Sequence, residues 1–313
     1  MKIWNGIESY PATASRVVAT IGNYDGVHLG HQAIVRSVVE AARRVERASV
    51  LITFEPHPLT IVAAERRPRL IQTRRQKLER LEAMGLDVVL ILRFDAELAS
   101  LSGEEFFSQV VCGPIGFEAI HVGSNFRFGK GRGGDVELLR ALGIRHGFAV
   151  VAVSPVSIER GVVSSSAVRK AVEDGDVGLA MEMLGRPFAL VGEVVEGEGR
   201  GRTLEFPTAN LDTDNELLPR RGVYVTETVA LATRQASVTN VGIRPTYGGG
   251  AMTVESHLLD YDGDLYGESI EVRFLARLRN ERKFSGPQEL ADQIARDRAA
   301  AAAYFENLPL ATR

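Results

Sequence analysis

Cysteine is nearly absent from this chain, since Cys112 is the only one among 313 residues. An intrachain disulfide is therefore excluded, and the composition fits a reducing compartment. Cys112 directly follows the apolar residues 106–111. This position favours a thiol packed in the core over a reactive nucleophile.

Three further features are missing, and each absence excludes a class of protein. The net charge is −3, so the basic surface typical of a nucleic-acid partner is lacking. No apolar run reaches the length of about 18 residues that a membrane-spanning helix requires. Residues 1–15 have neither the basic start nor the apolar core of a signal peptide. We therefore expect a cytoplasmic protein with neither a nucleic-acid nor a membrane partner.

What remains is an ordinary globular composition, with 45% hydrophobic and 25% charged residues in a length that suggests two domains. Up to about residue 186, strand patterns alternate with helical patterns, which predicts a parallel α/β sheet covered by helices on both faces. The predicted strands are residues 16–20, 48–54, 87–92, 117–122 and 148–153, and the predicted helices are residues 32–46, 73–84, 103–111, 136–146 and 164–173.

From residue 187 onward the pattern changes to short strands separated by glycine-rich turns, which indicates a small antiparallel barrel or sandwich. The predicted strands are residues 189–196, 222–231, 236–241, 253–260 and 269–275. A last helix is predicted from about residue 287 to 305, with Ser285 as its candidate cap. The sequence therefore predicts two domains, residues 1–186 and 187–313.

The most informative stretch lies between the first predicted strand and the first predicted helix. There, Gly26 and Gly30 allow the backbone to approach a ligand closely. A helix N-terminus attracts phosphate, and His28 and His31 lie on the same side of its first turn. Imidazoles donate hydrogen bonds to phosphate oxygens. The combination favours a nucleotide-phosphate site. The alternatives are a metal half-site, a turn needed only for packing, and histidines that begin a surface helix by chance.

Two other segments of the first half are candidate ligand contacts. The three serines at 164–166, followed by Arg169, offer hydroxyls, backbone N–H groups and a guanidinium to an anion. An ordinary serine cap is the alternative. The loop at 123–134 carries three cations and two phenylalanines among its glycines, and it could cover a planar phosphorylated ligand. A mobile surface loop is the alternative there.

The Gly-x-x-Asp-Gly-x-His-x-Gly-His stretch resembles the signature of the adenylyltransferase superfamily that shares a His-x-Gly-His motif. Together with the Phe-x-Pro-His-Pro turn and the Gly-Ser-Asn-Phe-Arg-Phe-Gly loop, it is similar to the FAD synthetase module of bifunctional riboflavin kinase/FAD synthetases. The resemblance implies that His28, His31 and Arg169 are catalytic. It implies ATP contacts at Gly22, Asn23, Asp25, Gly26, His28, Gly30, His31, Asn125, Ser164, Ser165, Ser166 and Arg169, and flavin contacts at Phe54, Pro56, His57, Phe126 and Phe128.

In the second half, Thr208 and Asn210 are two residues apart, so in an extended segment their oxygens face the same side. Neutral oxygens of this kind suit Mg²⁺ bound to ATP, although a polar turn before a strand is the alternative. Glu255 interrupts an apolar strand pattern. We expect its carboxylate to project into a barrel, where it could act as a general base. A solvent-facing position on an edge strand is the alternative.

The order of motifs in this half resembles that of riboflavin kinases, from Gly-Arg-x-x-x-x-Phe-Pro-Thr-Ala-Asn to Leu-Arg-Asn-Glu-Arg-Lys-Phe. The resemblance implies a six-stranded antiparallel barrel with a terminal helix, and Glu255 as the base for the ribityl 5′-hydroxyl. It implies ATP contacts at Gly201, Arg202, Thr203, Pro207, Thr208 and Asn210, Mg²⁺ at Thr208 and Asn210, and flavin contacts at Arg244, Arg279 and Glu281.

Together, the two resemblances predict a bifunctional enzyme. Riboflavin and ATP give FMN, and FMN and a second ATP give FAD and pyrophosphate, with flavins as substrates and products rather than redox cofactors. A regulator that binds flavin nucleotides is a rival from another class, and adenylyl transfer to a different phosphate acceptor is an enzymatic rival. The sequence leaves the oligomeric state open, and a homo-oligomer is compatible with it.

Overall fold

The structure is a computed structural model that describes residues 1–11, 15–196, 208–243 and 252–307. The chain divides into two compact units. The first is Met1–Arg69 with Arg74–Ser165, and the second is Leu70–Thr73 with Ser166–Arg313. This division runs through the serine run. The functional boundary between residues 186 and 187 stays a prediction.

The first unit is built on a six-stranded parallel sheet with the strand order β1-β4-β3-β2-β5-β6. The strands are β1 (Lys2–Asn5), β2 (Val17–Ile21), β3 (Ser49–Glu55), β4 (Val88–Arg93), β5 (Phe117–Gly123) and β6 (Ala149–Val153). The strands that follow β2 in the chain lie first on one side of it, as β3 and β4, and then on its other side, as β5 and β6. The carboxyl end of β2 is therefore the switch point at which such sheets bind ligands.

Helices of the first unit connect these strands, and the apolar faces of the longer ones cover the sheet. They are α1 (Leu29–Arg44), α2 (Leu59–Val62), α3 (Arg74–Ala83), α4 (Ala96–Ser100), α5 (Gly103–Glu105) and α6 (Val136–His146). Two more helices follow the sheet in the chain: α7 (Ser165–Asp174), which begins at the boundary between the units, and α8 (Val177–Leu184) in the second unit. Residues 106–111 continue α5 as a π-helix, so the predicted helix at 103–111 is confirmed in position. Cys112 packs beside this core, and burial raises the pKa of its thiol to about 11.

The second unit contains a closed antiparallel barrel with the order β10-β13-β12-β11-β14-β9. Its strands are β9 (Phe188–Val195), β10 (Ala209–Thr213), β11 (Gly222–Ala230), β12 (Thr233–Ile243), β13 (Met252–Leu258) and β14 (Ser269–Arg279). The barrel and the parallel sheet confirm the predicted fold class. A short hairpin of β7 (Ser157–Ile158) and β8 (Gly161–Val162) precedes α7.

The terminal helix α9 (Pro287–Glu306) packs on the outside of the barrel, where Ala301 meets Val225 and Leu259 in an apolar cluster. Its N-cap is Gly286, so the prediction of a Ser285 cap is wrong. Ser285 instead donates its backbone N–H and its hydroxyl to the Glu289 carboxylate, at 2.8 and 2.9 Å. None of the helices in the described ranges combines the length and apolar character needed to cross a membrane.

Candidate active sites

The turn at residues 22–28, between β2 and α1, has an uncommon backbone. Tyr24 and Val27 have positive φ values of 53° and 39°, beside Gly26 at 85°. A β-branched residue rarely adopts this conformation, and such strain concentrates at functional sites. Both side chains are nevertheless buried, at 2% and 1% exposure. Packing therefore holds the turn in this conformation.

The two histidines of this turn are in contact. The rings of His28 and His31 stack with their centroids 3.7 Å apart and 16° between their planes. His28 is the N-cap of α1, and its Nδ1 accepts a hydrogen bond from the His31 backbone N–H at 3.3 Å. When His28 is neutral, its proton is therefore on Nε2, which can donate to an anion.

His31 is held in its neutral form at physiological pH. Burial lowers its pKa well below the usual range, and the nearby charges of His28 and Lys77 lower it further. Its Nδ1 is buried and has no hydrogen-bond partner among the described residues. A buried polar atom without a partner is costly unless a ligand supplies one. The pair can therefore bind a negatively charged group.

Lys77, on α3, is a residue that the sequence reasoning missed. Burial lowers its pKa, while Glu55 and Asp25 raise it and Arg74 lowers it further. In the sequence, Lys77 stands in the charged stretch Arg-Arg-Gln-Lys-Leu-Glu-Arg, so it looks like part of a solvent-exposed helix face. Only the packing of α3 distinguishes it.

The ends of neighbouring strands lie beside this turn. The backbone N–H of Gly22 donates to the carbonyl of Ile52 in β3 at 3.0 Å, and Asn23 contacts His57 at 3.3 Å. At the start of α7, the Ser165 hydroxyl donates to the carbonyl of Asp25 at 2.9 Å. The structure thus brings Ser165 to the turn. Ser164 directly precedes it, whereas Ser166 and Arg169 belong to the second unit.

The predicted flavin contacts of the first unit differ in exposure. Phe128 is only 7% exposed, because it packs against Phe107 in the core. Phe126 stacks on Phe128 at 5.3 Å, and Phe54 packs edge-on against Phe94. Phe128 is the most deeply buried of the three phenylalanines predicted as contacts, so most of its ring is not available to a ligand. Pro56 and Asn125 are exposed at the ends of β3 and β5, the two strands next to β2.

The barrel interior is closed by side chains that carry no charge. Five hydroxyls hydrogen-bond to one another at 2.7–3.0 Å, and all five side chains are fully buried. They belong to Thr226, Thr228, Ser237, Thr239 and Ser256. Ser256 of β13 reaches Thr228 of β11 although β12 lies between these strands. Ser256 therefore faces the barrel interior.

This placement corrects the expected direction of Glu255. Neighbouring residues of a strand face opposite sides, so Glu255 projects outward because Ser256 projects inward. The half-buried Glu255 pairs with Asn210 of β10 on one side and with Asn240 of β12 on the other. Paired residues of antiparallel strands face the same side. The prediction of an inward carboxylate is therefore wrong.

The same row continues around the barrel, since Val223 of β11 pairs with both Asn240 and Arg279. We call this set the outer row; its members are Asn210, Glu255, Asn240, Val223 and Arg279. Arg279 donates from Nε and Nη2 to the Asp297 carboxylate of α9, at 3.0 and 2.7 Å. It thereby brings the helix into contact with the row.

Glu281 lies beside the outer row as well. A Cβ atom added at Gly242 would lie 2.7 Å from Oε1 of Glu281 and 3.2 Å from Nδ2 of Asn240. Three predicted contacts, Asn210, Arg279 and Glu281, are therefore on the outer surface with Glu255. Thr208 is half-buried just before β10. The remaining predicted contacts lie outside the described residues; they are Gly201, Arg202, Thr203, Pro207 and Arg244.

Within the part of the chain that the structure describes, no group of three or more His, Cys, Asp or Glu side chains could hold a metal ion. Thr208 and Asn210 are predicted as ligands of a different kind, since hydroxyl and amide oxygens would need support from a nucleotide's phosphates.

Comparison with known proteins gives one assignment for each half of the chain. Residues 10–167 match the FAD synthetase family, and residues 184–305 match the riboflavin kinase family. The bifunctional riboflavin kinase/FMN adenylyltransferase of Escherichia coli strain K12 is 40% identical over 308 residues, which cover 97% of this chain and 98% of that protein. The protein of the same description from Pseudomonas fluorescens is 37% identical over 304 residues, 97% of each chain.

A crystal structure described as a macrolide-efflux protein from Streptococcus pneumoniae is also similar. It has 30% sequence identity and a TM-score of 0.89, and the match covers 99% of this chain and 100% of that one. Sequence and structure thus agree over nearly the whole length. The chain belongs to the family of bifunctional riboflavin kinase/FMN adenylyltransferases, which phosphorylate riboflavin to FMN with ATP and transfer an adenylyl group from ATP to FMN, giving FAD and pyrophosphate.

Proposed function

We propose that the two reactions of this enzyme use separate sets of residues, with adenylyl transfer in residues 1–186 and riboflavin phosphorylation in residues 187–313. His28 and His31 bind ATP for adenylyl transfer. Glu255 is the general base that accepts the proton of the ribityl 5′-hydroxyl of riboflavin. Each activity should therefore be removable without the other.

The stacked histidine pair is the observation that carries the adenylyl-transfer site. It lies at the N-terminus of α1, whose unpaired N–H groups favour an anion. The buried Nδ1 of His31 gains a partner when a phosphate binds: it donates to a phosphate oxygen, or it accepts from a protonated one. His28 donates from Nε2, opposite the nitrogen that caps the helix.

In adenylyl transfer, a phosphate oxygen of FMN attacks the α-phosphorus of ATP, and the bond to pyrophosphate breaks. No covalent enzyme intermediate is required, so the protein has to align two anions and offset the charge on the leaving oxygens. We assign this work to His28, His31 and Arg169. Further ATP contacts are proposed at Gly22, Asn23, Asp25, Gly26, Gly30, Asn125, Ser164, Ser165 and Ser166.

For the kinase reaction, the outward and half-buried position of Glu255 supports its assignment as base, because substrate can reach it from solvent. Thr208 and Asn210 would hold Mg²⁺. When bound, Mg²⁺ offsets the negative charge of the phosphates of ATP. Asn210 pairs directly with Glu255 across the strands. The two oxygens and the carboxylate thus suit a hydroxyl and a phosphoryl group held side by side.

The other contacts that the family resemblance implies are also part of this proposal. Flavin contacts are assigned to Phe54, Pro56, His57, Phe126, Phe128, Arg244, Arg279 and Glu281, and ATP contacts of the kinase to Gly201, Arg202, Thr203 and Pro207. A cytoplasmic location, the absence of membrane and nucleic-acid partners, and a homo-oligomeric state stay predictions.

The test is a pair of substitutions with both products measured. The protein is incubated with riboflavin, ATP and Mg²⁺, and FMN and FAD are resolved over time. We expect His28→Ala to slow FAD formation by about 10²–10³-fold and to leave FMN formation unchanged. We expect Glu255→Gln to slow FMN formation by about 10²–10⁴-fold while FAD still forms from added FMN.

His146→Gln serves as the control, since this exposed histidine lies on α6 and should change neither rate. Loss of both activities in one folded variant would contradict separate sites. If neither FMN nor FAD formed in the wild type, the regulator hypothesis would be favoured.

A further inference from the structure

Helix α3 presents one face to the turn at residues 22–28. Leu81 is fully buried in an apolar cluster with Tyr24 and Val27, and Leu78 packs against that cluster. Lys77 is half-buried and lies four residues before Leu81, so it is on this inner face. Its side chain is therefore on the side of the helix that faces the turn.

The charged groups around Lys77 come from three elements. Asp25 belongs to the turn, Glu55 ends β3, and Arg74 begins α3; His31 is the nearby base on α1. Arg74 already holds Glu55 at 3.1 Å and Asn5 at 2.7 Å. Glu55 therefore already has a cation in Arg74, and Lys77 is not its only positive neighbour.

We propose that Lys77 is a phosphate-binding residue of the adenylyl-transfer site, whose ammonium group contacts the phosphate chain of ATP and the pyrophosphate that leaves. The inference rests on the proposed site at His28 and His31, and it extends that site by a residue outside the sequence motifs. Asp25 and Glu55 orient the ammonium group before the nucleotide arrives.

The chemistry of the groups supports this role. An ammonium group is a compact charge with three donors, well suited to phosphate oxygens that move during a reaction. Burial lowers the pKa of Lys77, and a bound polyphosphate reverses that effect because it favours the charged form. The two imidazoles at the N-terminus of α1 and this lysine of α3 then face the same anion from two elements.

The test measures the binding of inorganic pyrophosphate by calorimetry, together with both reaction rates. We expect Lys77→Met to weaken pyrophosphate binding and to raise the KM for ATP in FAD formation, each by about tenfold to a hundredfold. Lys77→Arg should recover most of both losses, because it keeps the charge. FMN formation should be unchanged in both variants.

Arg75→Met is the matched control. Arg75 lies on the same helix but is 57% exposed and pairs with Glu79 at 3.8 Å. It should change neither pyrophosphate affinity nor the KM for ATP. As pH rises, pyrophosphate affinity should fall earlier in the wild type than in Lys77→Arg, because the pKa of Lys77 is lowered and the guanidinium stays charged.

The inference is wrong if Lys77→Met lowers kcat or thermal stability while pyrophosphate affinity stays that of the wild type. It is also wrong if Lys77→Arg is as weak in pyrophosphate binding as Lys77→Met, because charge is then not the property that matters. A separate result would overturn the underlying site: retention of FAD formation by His28→Ala. The two failures are thus distinguishable.

Discussion

The two halves of this enzyme place their proposed reactive side chains in opposite ways. In the first unit they lie where a central strand ends, at a strained turn and a helix N-terminus. In the barrel they lie along the outer face of strands, with Glu255 between Asn210 and Asn240. A parallel sheet covered by helices on both faces offers a ligand only its strand ends. A barrel strand has one filled side and one side that can stay open.

The buried polar groups differ in the same way. The first unit buries groups that can change charge, His31 and Lys77, and burial lowers the pKa of each. The barrel interior holds neutral hydroxyls that satisfy one another, whereas the buried His257, next to the inward Ser256, lies on the outer side of its strand. We infer that the first site is controlled by electrostatics and the second by strand register, since a shift of one residue would turn Glu255 inward.

The largest effect is expected from a substitution that breaks the link between α9 and the outer row. Asp297→Ala leaves Arg279, which is 21% exposed, without its carboxylate. We expect the free energy of unfolding to fall by about 3 kcal/mol. We also expect the KM for riboflavin to rise by roughly tenfold, because Arg279 is no longer held in place. Urea unfolding and the FMN-forming rate at varied riboflavin measure the two effects.

Glu227→Ala is the control for that variant. Glu227 holds Arg273 at 2.8 Å, and Arg273 is as exposed as Arg279, but Arg273 keeps a second carboxylate, Glu271, at 3.0 Å. We expect a smaller loss of stability and no change in the KM for riboflavin. Equal effects of both variants on this KM would mean that Arg279 has no special role.

A smaller effect is expected from one glycine in each half. At Gly30 an added Cβ would lie 3.2 Å from the His28 ring, which is stacked and cannot move freely. Gly30→Ala should therefore slow FAD formation by about tenfold. At Gly242 the added Cβ meets the flexible Glu281 at 2.7 Å, so Gly242→Ala should change only FMN formation, by about threefold. Reversed selectivity would contradict the assignment of sites to halves.

The smallest expected effect concerns pH. His31 has a pKa well below its usual value in the folded state, so between the two pKa values the unfolded chain binds more protons. The stability of the first unit should therefore fall as pH drops below about 6.5. The single tryptophan, Trp4, lies in this unit and reports its unfolding by fluorescence.

His31→Gln should reduce the pH dependence between pH 7 and 5, and the part that remains comes from His121, whose pKa is also lowered by burial. His146→Gln, at an exposed position, should not change the slope. An unchanged slope in His31→Gln would show that His31 is not the titrating group. The barrel hydroxyls do not titrate in this range, so they should contribute no such slope.

Sequence patterns predicted most elements, because β-branched strands and periodic helices leave strong local signals. They missed the edge strand β1, the short elements α2, α4, β7 and β8, and the helix α8, which follows α7 after a two-residue break. They also missed β10, whose sequence Ala-Asn-Leu-Asp-Thr has few strand formers. The pairing partners of β10 on the barrel decide its strand conformation, and these are remote in sequence.

By itself, the sequence predicted both activities of this protein, because the histidine pair at a strand–helix turn, the serine run, the Thr-x-Asn pair and Glu255 are local patterns with recognisable residue types. Only the tertiary structure decided the outward direction of Glu255, because the side that a strand turns to the interior depends on barrel closure. Packing also selected Lys77, since one lysine among many on a charged helix is distinguished only by what the helix packs against. The local sequence reveals residue types and their periodicity, whereas the burial of a side chain and the charges near it depend on contacts between distant segments.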